Sequence, residues 1–184
     1  MYPSSAYEAK GLLAAALESE DPVVFFEPIV FYDAPAEEVP EQYFQIPIGK
    51  AKVVQPGDDL TIVAYGPPVH TAMRAAELLA EDSITAEVID LRTLSPWDED
   101  TVLSGARRTG RLLTVHEDSH TGGFGAEIAA TAAERLGVAV ARVAHADQPW
   151  AANRLDAAHS KITVERIVRA AKSLVEQDIG AVGS

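Results

Sequence analysis

From about Ile46 onward the apolar residues alternate between short continuous runs and longer stretches with helical spacing. Leu60 to Tyr65 reads as a strand, followed by a helix over Pro68 to Ala80, with Pro68 tolerated in the first turn. Ala86 to Ile89 is a second strand. A helix over Trp97 to Arg107 starts behind Pro96 and carries Asp98, Glu99 and Asp100 where the helix dipole favours acids. Leu112 to Val115, Gly125 to Leu136 and Val138 to Val143 continue the alternation as strand, helix and strand. A closing helix over Thr163 to Glu176 is capped by Thr163. Strands alternating with helices of this length predict an α/β fold with a mostly parallel, doubly wound sheet covered on both faces.

The chain ahead of this domain has a different pattern. Ser4 and Ser5 precede an Ala- and Leu-rich stretch, Tyr7 to Leu17, that predicts a serine-capped helix ended by Pro22. Val23 to Phe26 is a short run of β-formers, which predicts a buried strand. Pro28, Pro35, Pro40 and Pro47 then exclude regular structure over 28–49, so that segment reads as a connector. Two unequal parts result. Residues 1–45 hold one helix and one strand, a remnant of a second α/β domain, and residues 46–184 hold a complete domain. No internal repeat is present.

Composition narrows the setting. Hydrophobic residues make up 47% of the 184, enough for a real core. Cysteine is absent, which excludes disulfides and thiolate zinc sites and suits a reducing cytoplasm. The amino terminus lacks the basic start and apolar core of a signal peptide, and no apolar run approaches the roughly 20 residues that span a bilayer. Fifteen basic and 28 acidic residues give a net charge of −13, which repels phosphate backbones and anionic lipid and argues against nucleic-acid and membrane-surface roles.

The local motifs carry little chemistry. His116-Glu117-Asp118-Ser119-His120 matches H-E-x-x-H, but that zinc chemistry needs both histidines on one helical face. Here His116 closes an apolar strand and Thr121-Gly122-Gly123 follows, so a strand end running into a turn is expected. Gly122-Gly123-Phe124-Gly125 lies between strand and helix, where amides cradle phosphates, but Ile128 stands where a dinucleotide fingerprint has glycine. The better reading is a tight turn with close helix packing. Ser104 lies within a helix pattern, and His70, His145 and His159 are scattered on different elements as surface or packing residues.

Whole segments say more. Ala9-Lys10-Gly11-Leu12-Leu13, Phe25-Phe26-Glu27-Pro28, Glu38-Val39-Pro40 and Ile48-Gly49-Lys50-Ala51 occur in that order. Glu87-Val88-Ile89-Asp90-Leu91-Arg92-Thr93-Leu94-Ser95-Pro96-Trp97-Asp98 is the strongest stretch. Thr109-Gly110-Arg111-Leu112, His116-Glu117 and Thr121-Gly122-Gly123-Phe124-Gly125-Ala126-Glu127-Ile128 complete the set. Together they resemble the beta subunit of thiamine-diphosphate-dependent 2-oxo acid dehydrogenases, the decarboxylating component. The Pro-Trp-Asp and the His-Glu before Thr-Gly-Gly-Phe look more like branched-chain than pyruvate enzymes.

The resemblance implies that residues 46–184 are a transketolase-type carboxy-terminal domain and that 1–45 are the tail of the pyrimidine-binding domain with its connector. It implies that the glutamate and histidine acting on thiamine diphosphate and its magnesium lie earlier in the subunit, so neither Glu27 nor His116 takes their place. Catalytic residues are then expected on other chains. Implied partners are an alpha subunit, other beta chains and the basic subunit-binding domain of the acyltransferase core, which the −13 charge suits. The resemblance also places potassium-ligating backbone carbonyls at Ala16, Ser19 and Asp21, with the other ligands of that ion in the preceding part of the subunit.

Ile29-Val30 and Asp33 replace basic residues usual in the family, Asp147-Gln148-Pro149-Trp150-Ala151 replaces an Asp-Thr-Pro-x-Pro turn, and Ser160-Lys161 stands where Tyr and Pro are common. A free-standing, non-catalytic interaction module of the same fold is the alternative reading. The remnant is expected to expose apolar surface, making the full chain self-associate and a chain without 1–45 better behaved.

Overall fold

The computed structural model describes residues 1–148 and 161–176. Helix α1 (Ala6–Glu18) opens the chain, and a 3-10 turn (Ile29–Phe31) interrupts the connector. Then follow β1 (Lys52–Gln55), β2 (Leu60–Ala64), α2 (Pro68–Glu81), β3 (Ala86–Asp90) and α3 (Glu99–Thr109). β4 (Arg111–Ser119), α4 (Phe124–Leu136), β5 (Ala139–His145) and α5 (Val164–Glu176) complete the order. The strands form one five-stranded sheet in the order β1-β3-β2-β4-β5, parallel throughout except for β1, which runs antiparallel to β3.

Side chains leave a strand alternately, and β2 divides accordingly. Leu60, Ile62 and Ala64 join the apolar layer under α2 and α5, with Leu79, Leu113, Ile167 and Leu174. Val63 and the following Tyr65 face the layer under α3 and α4, with Ile89, Val102, Leu112 and Ile128. Because both faces are covered, β2 and β3 are buried along their whole length. The doubly wound, mostly parallel architecture matches the expectation.

The helix ends follow their caps. Asp98 accepts the Thr101 N–H, so α3 begins at Glu99 rather than at Trp97, and it ends at Gly110 in the left-handed region. Ser5 caps α1 through the Glu8 N–H at 3.2 Å, and Thr163 caps α5 through the Arg166 N–H at 3.3 Å. β1 was not expected: its short Lys-Val-Val-Gln run has no alternation, and only pairing with β3 makes it a strand.

One expected element differs. Val23 to Phe26 is extended but is not a strand of the sheet, and Val24 and Phe26 are exposed. Its bonds go to the chain start: the Met1 amino group donates to the Val24 carbonyl at 2.7 Å and the Phe26 N–H to the Met1 carbonyl at 2.9 Å. A buried parallel strand needs a neighbour on each edge, and the described residues offer only this one. Helix α1, by contrast, is seated. Leu12 is fully buried, and Gly11 lets Ile46 and Phe44 approach its backbone, with the Ile46 N–H bonded to the Gly11 carbonyl at 3.0 Å.

Candidate functional site

In an open α/β sheet, ligands bind outside the carboxyl ends of the strands where the connections diverge. Here β2 connects through α2 toward β3 while β4 connects through α4 toward β5, so that point lies between β2 and β4. Tyr65 follows β2, and His116 and Asp118 sit on β4. The Tyr65 hydroxyl donates to Asp118 Oδ2 at 2.5 Å, and the same oxygen accepts the Phe124 N–H at 3.2 Å at the start of α4. The Tyr65 and His116 rings stack with centroids 5.9 Å apart.

The amino-terminal segment fills what space remains. The Tyr2 ring lies 6.0 Å from that of Tyr65 and against Gly66, and its N–H donates to the Arg92 carbonyl at 2.9 Å. Burial, then the Asp118 carboxylate, raise the Tyr65 hydroxyl far above its usual range. Burial lowers His116, favouring the neutral imidazole. Both His116 ring nitrogens lack hydrogen-bond partners, and Asp118 is 3.7 Å from Nδ1. A side chain at Gly125 would collide with the His116 ring and the Thr114 hydroxyl, so the Gly-rich turn serves close packing. These residues do not fit a diphosphate: the Phe124 amide is occupied by a carboxylate, and Glu117 adds negative charge.

The H-E-x-x-H segment is strand and turn. His116 is buried in β4, whereas His120 follows the strand, its N–H bonded to the His145 carbonyl at 2.7 Å and its carbonyl accepting from Arg142. Among the described residues no group of three or more His, Cys, Asp or Glu side chains is placed to hold a metal. Ser104 lies within α3, and Glu27 is exposed beside Tyr32. His70, on α2, has Nε2 2.6 Å from the Ser4 carbonyl, and His145 is buried at the end of β5. His159 and residues 149–160 of the altered turns lie outside the described residues.

A second polar cluster sits at the end of β3, and no motif revealed it. Ser4 donates to Asp90 Oδ2 at 2.5 Å, and the Arg92 N–H donates to Asp90 Oδ1 at 3.0 Å. The Arg92 guanidinium reaches Glu8 Oε1 on α1 at 2.7 Å, and Lys52 Nζ lies 3.5 Å from the same oxygen. Arg92 has φ +61°, a left-handed conformation costly for a side chain, and in it its amide turns onto Asp90 while its guanidinium faces Glu8. Burial, opposed by the Ser4 bond and assisted by Glu8, pushes Asp90 up to about 6. Glu8 in an Ala-Leu helix and Asp90 ending an apolar run were the sequence signals.

Ala16, Ser19 and Asp21 stand together at the carboxyl end of α1. The Ala16 carbonyl accepts the Ser19 N–H at 3.3 Å, and no basic residue occupies the last turn, so the carbonyl end of the helix keeps its negative potential. Along the first half of α1, from Ala6 to Leu13, an apolar groove of about 570 Å³ runs between the helix and the connector, with Phe25, Phe31 and Tyr32 among its walls.

Residues 49–167 match the family model of the transketolase C-terminal domain. The chain is 43% identical over 153 residues to the mitochondrial 2-oxoisovalerate dehydrogenase subunit beta of Dictyostelium discoideum, covering 80% of this chain and 41% of that protein. It is 45% identical to the pyruvate dehydrogenase E1 component subunit beta of Staphylococcus epidermidis, covering 79% and 46%. The chain thus spans less than half the length of these curated relatives. A solved structure described as a split gene transketolase, an inactive beta4 tetramer, superposes with a TM-score of 0.80 at 28% identity over 94% of this chain and 55% of that one. With the matched domain covering most of its length and the sheet built as described, this chain belongs to the transketolase C-terminal domain family.

Proposed function

We propose that this chain works as the carboxy-terminal part of a 2-oxo acid dehydrogenase beta subunit, contributing assembly rather than catalytic groups to oxidative decarboxylation of a branched-chain 2-oxo acid or pyruvate. The observation that carries this reading is the filled switch point: Tyr2 and the Asp118 bonds to Tyr65 and Phe124 occupy the place where such a sheet holds a ligand. Thiamine diphosphate and magnesium then bind on completing chains. The boundary near residue 45, location in the cytoplasm, and contacts with an alpha subunit, other beta chains and the basic subunit-binding domain belong to the same proposal. The −13 charge and the lack of cysteine support it. The carbonyls of Ala16, Ser19 and Asp21 contribute half of a potassium site, for which the negative end of α1 is suited.

The test is turnover. With thiamine diphosphate, magnesium, a branched-chain 2-oxo acid and an artificial electron acceptor, the purified chain should give none. Adding an alpha subunit and the amino-terminal half of a beta subunit should restore it. Turnover by the chain alone would overturn the proposal.

A further inference from the structure

Among the described residues, the most exposed apolar side chains lie in the first 45 positions of the chain. On α1, Leu13 and Leu17 lie one turn apart, and Leu17 is 78% exposed. The extended segment Val23 to Phe26 adds Val24 and Phe26, and the connector adds Ile29 and Val30, with Ile29 at 78%. The groove between α1 and the connector takes Leu13 from the helix, and its opposite wall is Phe25, Phe31 and Tyr32. A surface of this kind is unusual unless something covers it.

Charge says what covers it. Residues 1–45 contain nine acidic side chains and Lys10 as the single basic one, so they hold a net −8 of the chain's −13. Glu18, Glu20 and Asp21 surround the carboxyl end of α1, where the helix dipole adds to them and no basic residue offsets it. A second copy of the chain meeting this face would oppose −8 with −8.

The polar groups of the groove are already engaged. Glu37 accepts the Ala6 N–H at 2.9 Å, His70 is bound to the Ser4 carbonyl, and Lys10 donates to the carbonyls of Pro40 and Glu41. What the groove offers outward is an apolar wall, set in a segment whose net charge is −8. We infer that this face docks a cationic amphipathic helix of a partner protein running along α1, its apolar side chains entering the groove beside Leu13 and its lysines or arginines meeting the exposed Glu20 and Asp21 past the end of the groove. The inference rests on the reading that another chain completes this one, and it supplies the chemistry of that chain's contact.

The experiment uses the full chain and three labelled peptides of about 18 residues, five helical turns each. One is an amphipathic Leu-Ala-Lys helix, the second replaces its lysines by glutamate, and the third keeps the first composition in scrambled order. By fluorescence anisotropy at about 20 mM salt, the first should bind at least about tenfold more tightly than either other. It should lose most of that affinity at about 500 mM salt, where the Debye length is only a few ångströms. The Leu13→Gln, Leu17→Gln variant keeps the charge and should weaken binding about tenfold, with circular dichroism confirming the helix content. The Glu20→Gln, Asp21→Asn variant should flatten the salt dependence.

Equal binding of the scrambled peptide would reduce the effect to the general field of an acidic protein and overturn the inference. So would an unaffected leucine variant, or a chain whose own dimer excludes the first peptide. Restoration of turnover by completing chains is scored separately, so the docking inference can fail while the proposed function stands.

Discussion

The Arg92 guanidinium meets the Glu8 carboxylate at 2.7 Å across 84 residues of sequence, tying the opening helix to the end of β3. Both side chains are almost fully buried, so the pair is sensitive to loss of either member. Glu8→Ala should cost about 3 kcal/mol in urea unfolding because it strands a buried guanidinium, and Arg92→Ala should cost a similar amount. The double variant should cost clearly less than the sum of the two. Additive losses would mean that the pair does not interact in solution.

Asp90 makes stability fall as pH rises through the acid range. Its folded-state value, about 6, lies above the 3.8 of a free aspartate, so the folded chain holds the proton more tightly. The stabilisation is fully present below the unfolded value and is lost as pH rises toward the folded one. The difference corresponds to about 3 kcal/mol at most. Asp90→Asn keeps an acceptor for Ser4 and removes the buried charge. It should raise stability at pH 7 and flatten the profile between about pH 4 and pH 6. An unchanged slope would assign the titration to another group.

Removing residues 1–45 separates two effects that the sequence joined. Leu13 to Val30 expose apolar surface, as the pattern predicts, and their loss reduces self-association at high salt, where screening relieves the charge. Tyr2, Glu8 and Leu12 cover Tyr65, Arg92 and the end of the sheet, and their loss uncovers these groups. The truncated chain should therefore melt about 10 °C lower than the full one. Light scattering and thermal unfolding on both chains decide the matter: equal melting temperatures would make the segment an ornament of the fold.

The order of elements from β2 to α5 was legible in the sequence because each strand is short, continuous and apolar and each helix is bracketed by a cap or a proline. Thr163 and Ser5 act as such caps in the structure, whereas Asp98, read as a first-turn acid, is the cap of α3. The H-E-x-x-H segment could be read as strand and turn for the same local reason, since Thr121-Gly122-Gly123 cannot continue a helix. β1 and the state of Val23 to Phe26 could not be read this way. A strand exists through its neighbours, and Lys52 to Gln55 had one in β3 while Val23 to Phe26, among the described residues, pairs with Met1 alone.

The polar clusters show the same division. By itself the sequence determined which residues are apolar, which stretches are helical, and that charge is heavily negative toward the amino terminus. Only the tertiary structure decided that Tyr2 fills the switch point, that Asp118 joins Tyr65 to the start of α4, and that Asp90, Arg92, Glu8 and Ser4 form one buried group. Local periodicity reports how a residue meets its near neighbours in the chain. Ser4 and Asp90 are 86 positions apart, and their contact depends on where the sheet ends and where α1 comes to rest.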